Sequence, residues 1–157
     1  MRILLVILLL CFLSKAYSQK TENDYKRLID SSISLKIKNI IEFSTNIDQR
    51  NVQLNNIYLL DENSLPYKYL SRNDSVKFKT IDVHSKKNRK VLKKGIKAWK
   101  ISAFLKNTTL KISIVYLTVT YEKRKYYYTR NNVTQVIFEY SCEEKKWIQI
   151  DFKNSRD

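Results

Sequence analysis

Hydrophobic positions change their period several times along this chain. Ile3 to Leu13 is an unbroken apolar run of eleven residues behind a basic Met1-Arg2 start. Crossing ~30 Å of hydrocarbon takes about 20 helical residues, so the run is too short for a span. Ala16 and Ser18 occupy the −3 and −1 positions of a cut before Gln19, the pattern of a secretory leader over 1–18. Cys11 is a poor lipidation site, because Leu8-Leu9-Leu10 stands where a small residue is required. From 22 to 43, Tyr25, Leu28, Ile29, Ile33, Ile37, Ile40 and Ile41 recur at three- and four-residue steps, with Ser44 next on the same stripe. That spacing predicts one amphipathic helix. Thr21 is its expected cap, with Glu22 and Asp24 in the first turn, where the helix dipole favours acids. Leu35 and Phe43 fall off the stripe, and the polar stretch 46–56 predicts a loop.

After residue 56 the period becomes two. Ile57 to Leu60 is a short strand, stopped by Asp61-Glu62-Asn63-Ser64 and Pro66. Val76 to Val83 alternates and predicts a strand with Val76, Phe78, Thr80 and Asp82 on one side and Lys77, Lys79, Ile81 and Val83 on the other. Ser85 to Lys94 is a basic loop or short helix ended by Gly95. Ile96–Lys106 puts Trp99, Ile101, Ala103 and Leu105 on one face, and Asn107-Thr108 turns the chain. Leu110–Tyr121 begins with Leu110, Ile112 and Ile114 inward, then switches to Val115, Leu117 and Val119. Such a switch means a bulge or a strand passing between two packed layers. A charged turn, Glu122 to Lys125, leads into a strand at Tyr126–Thr129, and Arg130-Asn131-Asn132 predicts another turn. Val133–Tyr140 should pair with Trp147–Phe152, with Val136, Phe138 and Tyr140 sharing one face and Ile148, Ile150 and Phe152 another. The expected fold is α+β: one N-terminal amphipathic helix packed on a curved antiparallel sheet meander, a single domain over 19–157.

This order of elements resembles the cystatin-like or NTF2-like arrangement, in which a sheet wraps a helix. Such folds host enzymes, carriers and interaction modules, so the resemblance implies no one activity. The segments Leu59–Tyr67, Lys94–Trp99 and Phe138–Glu143 also resemble small uncharacterised exported proteins of Bacteroidetes-type bacteria. That resemblance implies export and carries no activity with it.

Composition removes several function classes. A single Gly rules out both a G-x-G-x-x-G turn and a P-loop, which need several glycines against phosphate. Two Cys and one His cannot supply the four ligands of a structural zinc site. No cofactor or metal motif is present. Loss of the leader would leave 139 residues, enough for one proper core. It would also leave Cys142 without an intramolecular partner, so it is either buried, the commoner fate, or a candidate for an intermolecular bridge.

Net charge is +15, falling to +13 once Arg2 and Lys15 leave with the leader. Lys outnumbers Arg 22 to 8, and A+T-rich codons alone raise Lys, so part of the charge is compositional. Its distribution is not uniform, however: Lys77 to Lys111 holds twelve Lys or Arg and only Asp82 on the acidic side. The strongest candidate site lies there, in Lys86, Lys87, Arg89, Lys90, Lys93 and Lys94, continuing to Lys97 and Lys100. Clustered cations concentrate phosphate, sulfate or carboxylate partners and bind them by counterion release. The plainer alternative is a solvated lysine-rich loop.

Other constellations are weaker. Asp82 and His84, two apart on a predicted strand, would leave one face, with Cys142 as a nucleophile; a strand-end histidine beside an acid offsetting lysines is the simpler reading. Glu139, Glu143 and Glu144 suggest a carboxylate pair less readily than a solvated hairpin loop. The stretch Tyr121 to Arg130 interleaves cations and tyrosines, fit for stacking a sugar or base, but also ordinary strand packing beside a protected edge. Asn73, Asn107 and Asn132 head N-x-S/T triplets that matter only in a eukaryotic secretory pathway. The expectation is therefore an exported, non-enzymatic module whose basic 77–111 surface engages a lipid phosphate, an acidic glycan or an acidic protein face. No dedicated nucleic-acid motif or membrane span is expected in the mature chain. The alternative is a small-ligand carrier with an apolar pocket lined by Trp99, Phe104, Tyr116 and Phe138.

Overall fold

A computed structural model describes residues 24–43, 54–70 and 76–156. The leader, the Thr21 cap, Ser44, the first triplet at Asn73 and most of the polar stretch 46–56 lie outside the described residues. Leu54, at the end of that stretch, is helical and buried rather than part of a loop.

Helix α1 spans 24–43. Ile33, Ile37 and Ile40 are buried, with Tyr25, Leu28 and Ile29 packed around them, as the stripe requires. Ile41 sits at the margin of the stripe and is exposed, as is Phe43. The sheet follows as β1 (Tyr58–Leu60), β2 (Ile96–Lys106), β3 (Thr109–Glu122), β4 (Lys125–Ser141) and β5 (Lys146–Arg156), lying side by side in chain order. β1 runs parallel to β2, because the chain crosses over between them, and every later pair is antiparallel.

The sheet carries a core on each face. α1 lies against Trp99, Ile101, Leu110, Ile112, Ile114, Val136 and Phe138. The second core gathers Ile96, Ala98, Leu117, Val119 and Tyr121 with Leu60, Ile81, Val83 and Leu92. The switch of inward positions in β3 is thereby explained. Alternation continues unbroken along the strand, and it is the covered face that changes, from the even positions Leu110–Ile114 to the odd positions Leu117–Tyr121.

Four expectations need correction. Val76–Val83 forms no strand and makes a single bridge, Lys79 to Tyr58, with the Lys79 N–H donating to the Ile57 carbonyl at 2.8 Å. Its apolar residues serve different cores: Phe78 packs at a tilt against Trp99 with ring centroids 5.4 Å apart, whereas Ile81 and Val83 enter the second core. At Arg130–Asn132 the chain bulges instead of turning. Tyr116 faces Asn132 and Leu117 faces Arg130, which leaves Asn131 unpaired inside one 17-residue β4. A second bulge in β5, where Ile137 faces Asp151 and Phe138 faces Gln149, skips Ile150. Ile148 and Ile150 therefore turn outward while Trp147 and Phe152 pack on the core. Finally, Cys142 lies exposed in the β4–β5 turn.

Candidate functional site: a cationic cleft beside the β3–β4 turn

The basic segment is shaped by one acid and one aliphatic anchor. The Asp82 carboxylate accepts the His84 backbone N–H at 2.9 Å, and its carbonyl accepts Asn88 Nδ2 at 2.8 Å. The chain then enters a 3-10 turn at Lys86–Asn88 and the short helix α2 at Arg89–Lys93. Leu92 is fully buried in the second core. With Leu92 pointing down, Lys90, Val91, Lys93 and Lys94 are left exposed. Gly95 stops the helix at φ 77°, and its N–H donates to the Leu92 carbonyl at 3.0 Å.

Register brings a second cationic segment alongside. Ile96 pairs with Val119, so β3 runs on beyond the start of β2 as far as Glu122. Glu122 pairs with Lys125 across a two-residue turn, in which Lys123 and Arg124 both take left-handed φ values of 47° and 64°. Two positive φ angles are the signature of a tight hairpin turn matched to strand twist.

Arg89, Lys90 and Lys93 of α2 thus face Lys123 and Arg124 across a cleft of about 480 Å³ floored by Tyr121. The Arg89 guanidinium carbon lies 5.0 Å from the Tyr121 ring centroid, and Arg89 Nε is buried without a hydrogen-bond partner. Tyr121 is itself held by Tyr126, ring to ring at 4.9 Å. A neighbouring cleft of about 490 Å³ shares Lys90 and adds Lys79, Lys94 and Lys97 beside Tyr58.

Among the described residues, the ion pairs join Lys26 to Asp30, Arg27 to Asp24, Lys38 to Glu42, Lys146 to Glu144 and Lys153 to Asp151. None of the twelve cations between Lys77 and Lys111 is in one. Among the described residues, no acid side chain forms an ion pair with the segment's cations.

Of the eight cations singled out from sequence, Arg89, Lys90 and Lys93 line the first cleft, and Lys90, Lys94 and Lys97 line the second. Lys97 also donates to Thr118 Oγ1 at 2.8 Å. Lys100 lies over the Tyr128 ring at 5.3 Å, while Lys86 and Lys87 stand exposed on the 3-10 turn; these three line neither cleft. Sequence reasoning did not place Lys123 and Arg124 in the site. The available signal was a Lys-Arg pair where a two-residue turn prefers Asn-Gly.

The candidate pocket residues separate. Trp99 and Phe138 are 1% and 4% exposed within the α1 core, with Tyr116 packed partly against it. Phe104, on the opposite face of β2, is 61% exposed. Burial pushes the Tyr116 phenol above its ordinary pKa. The Asp82–His84 constellation also separates, since the imidazole Nε2 meets the Asn63 carbonyl at 3.1 Å and packs on Tyr126. Tyr126 lies at one end of β4 and Cys142 just past the other, about 50 Å along the strand at 3.3 Å per residue. Glu139, Glu143 and Glu144 are exposed, and Glu144 pairs with Lys146.

One charged group was not anticipated. Lys36 is 3% exposed beneath α1, where Nζ donates to Thr134 Oγ1 at 2.6 Å and sits 5.1 Å from the Trp99 ring centroid. Thr134 donates on to Asn154, whose amide reaches Asn39 of α1 at 3.1 Å. Burial lowers the Lys36 amine from 10.5 to about 8. Its spacing from Ile33 and Ile40 puts it on the apolar stripe, which is the signal that could have found it.

No protein-family model, curated protein or solved structure matches the chain. Among the described residues, no helix is long and apolar enough to cross a membrane.

Proposed function

We propose that the protein is an exported, non-enzymatic binding module of cystatin-like or NTF2-like build that holds an anionic partner on the face formed by α2 and the β3–β4 turn. One observation carries the reading. Two segments separated by β2 and β3 converge five cations on one cleft whose lining contains no acid. Like charges brought together in a folded protein repel, and an external anion relieves that repulsion while releasing its own counterions. Lipid phosphate, acidic glycan and acidic protein all offer suitable oxyanions. The carrier alternative gains nothing from Trp99 and Phe138, which the core already uses.

Binding of the full chain to lipopolysaccharide and to an acidic polysaccharide across a salt series tests the reading. A lysozyme-like protein of similar charge is the control. Binding that outlasts the control at ~0.15 M salt, where the Debye length is about 8 Å, is the expected result. Binding that only tracks the control overturns it. Export is checked separately by the N-terminus of protein recovered outside the cytoplasm, expected at Gln19.

A further inference from the structure

We propose that the cleft between α2 and the β3–β4 turn is a site for a single phosphate monoester group in its doubly charged form. This rests on the anionic-partner reading above and narrows it to one ligand chemistry. Three features point there.

First, Arg89 is held in place before any ligand arrives. Its guanidinium lies over Tyr121, which is 7% exposed and braced by Tyr126. Its Nε–H is out of solvent with no acceptor. The two terminal amino groups are not closed off in this way, so they are the ones a ligand's oxygens can reach. An arginine fork matches the spacing of two oxygens on one phosphorus.

Second, the donors surround the ligand position from more than one side. Lys90 and Lys93 come from α2, while Lys123 and Arg124 come from the hairpin turn. A carboxylate offers two oxygens in one plane. A phosphate monoester offers three free oxygens arranged tetrahedrally, so it can answer the Arg89 fork and the opposite wall together.

Third, the charge balance favours a dianion. Five cations and no acid line the cleft. A monoester loses its second proton near pH 6 and carries close to two charges at neutral pH, whereas a diester carries one. The cleft is also larger than a bare phosphate, which leaves room for the organic group on the ester oxygen.

The test titrates the full chain at ~0.15 M salt with inorganic phosphate, phenyl phosphate, diphenyl phosphate and acetate, read by calorimetry and amide chemical shifts. The proposal expects saturable one-to-one binding of phenyl phosphate, at least about tenfold tighter than diphenyl phosphate or acetate. It expects Arg89→Lys to lose about tenfold or more with net charge unchanged, since the fork is gone. Arg27→Lys on α1, whose side chain is 81% exposed far along the sequence, should bind as the parent does. Circular dichroism and thermal melting verify that Arg89→Lys is folded; if it is not, Arg124→Gln in the exposed turn carries the test with the same expected loss. Vesicles of phosphatidic acid and of phosphatidylglycerol at equal surface charge separate the sources. Preference for phosphatidic acid beyond that for the soluble ester assigns the group to a lipid headgroup, and equal affinity assigns it to a free ester; both support the site. Equal binding of monoester, diester and acetate overturns it, as does a folded Arg89→Lys that binds as tightly as the parent. If polymer binding persists in that case, the anionic-partner reading stands without this site. If polymer binding also fails, both fall.

Discussion

At the scale of residues, Lys36 is the most consequential departure from a simple apolar core. Its amine is charged at neutral pH yet enclosed by Trp99, Thr134 and the stripe of α1, with Asn154 and Asn39 continuing the hydrogen bonds. Burial is the cause of its lowered pKa, from 10.5 to about 8. The sign for stability follows directly. Below pH 8 both folded and unfolded chains hold the proton, and the desolvation penalty falls wholly on the folded state. Between about 8 and 10.5 the unfolded chain still holds a proton that the folded chain has released, so stability rises with pH across that window. The full rise is about 3 kcal/mol at 1.36 kcal/mol for each pH unit. In Lys36→Met this component should vanish, with stability at pH 7 no lower than the parent's. Urea unfolding of both chains from pH 7 to 10 checks it; parallel pH dependences would contradict it. The position of Lys36 on the stripe was legible, because it follows Ile33 by three residues. Its burial was not, because a lysine on an apolar stripe usually extends its ammonium to water. What retains it is Thr134, a contact 98 residues away in sequence.

At the scale of elements, the β3–β4 turn joins stability to binding. Lys123 and Arg124 occupy left-handed backbone that Asn and Gly adopt more readily. The double variant Lys123→Asn, Arg124→Gly should therefore stabilise the fold by roughly 1 kcal/mol, a rise of about 3 °C in Tm. It should also bind anionic polymer more weakly, because two of the five cleft cations are gone. Calorimetric melting and the same binding assay check both halves; unchanged affinity would separate the turn from the site. Strand existence was legible wherever alternation was long, as in Ile96–Lys106 and Leu110–Tyr121. The bulges at Asn131 and Ile150 were not. Polar Arg130-Asn131-Asn132 has the composition of a turn, and pairing with Tyr116 and Leu117 on β3 and with Arg156 on β5 keeps the chain extended there. In the same way, Val76–Val83 has the alternation of a strand, but β1 offers it one bridge.

At the scale of the whole molecule, the fold divides its work between the two faces of one sheet. α1 and the larger core cover one face, while the smaller core on the other anchors Leu92 and so fixes α2 beside the hairpin. The local concentration of charge between Lys77 and Lys111 could be read from sequence by counting. Its completion by Lys123 and Arg124 depends on the register of β2 with β3, which counting does not contain. The claim is that charge placement, rather than total charge, makes the binding surface. The most direct test compares two triple variants that each remove three charges: Lys90→Gln, Lys93→Gln, Lys123→Gln at the cleft, and Lys38→Gln, Lys146→Gln, Lys153→Gln away from it. Their affinity for an acidic polysaccharide is measured against salt. Each lost contact should flatten the log–log slope by about 0.7–0.9, so the cleft variant should lose about two units of slope. The distal variant should follow the parent closely. Equal losses in the two variants would mean that only the total charge matters, and would contradict the account.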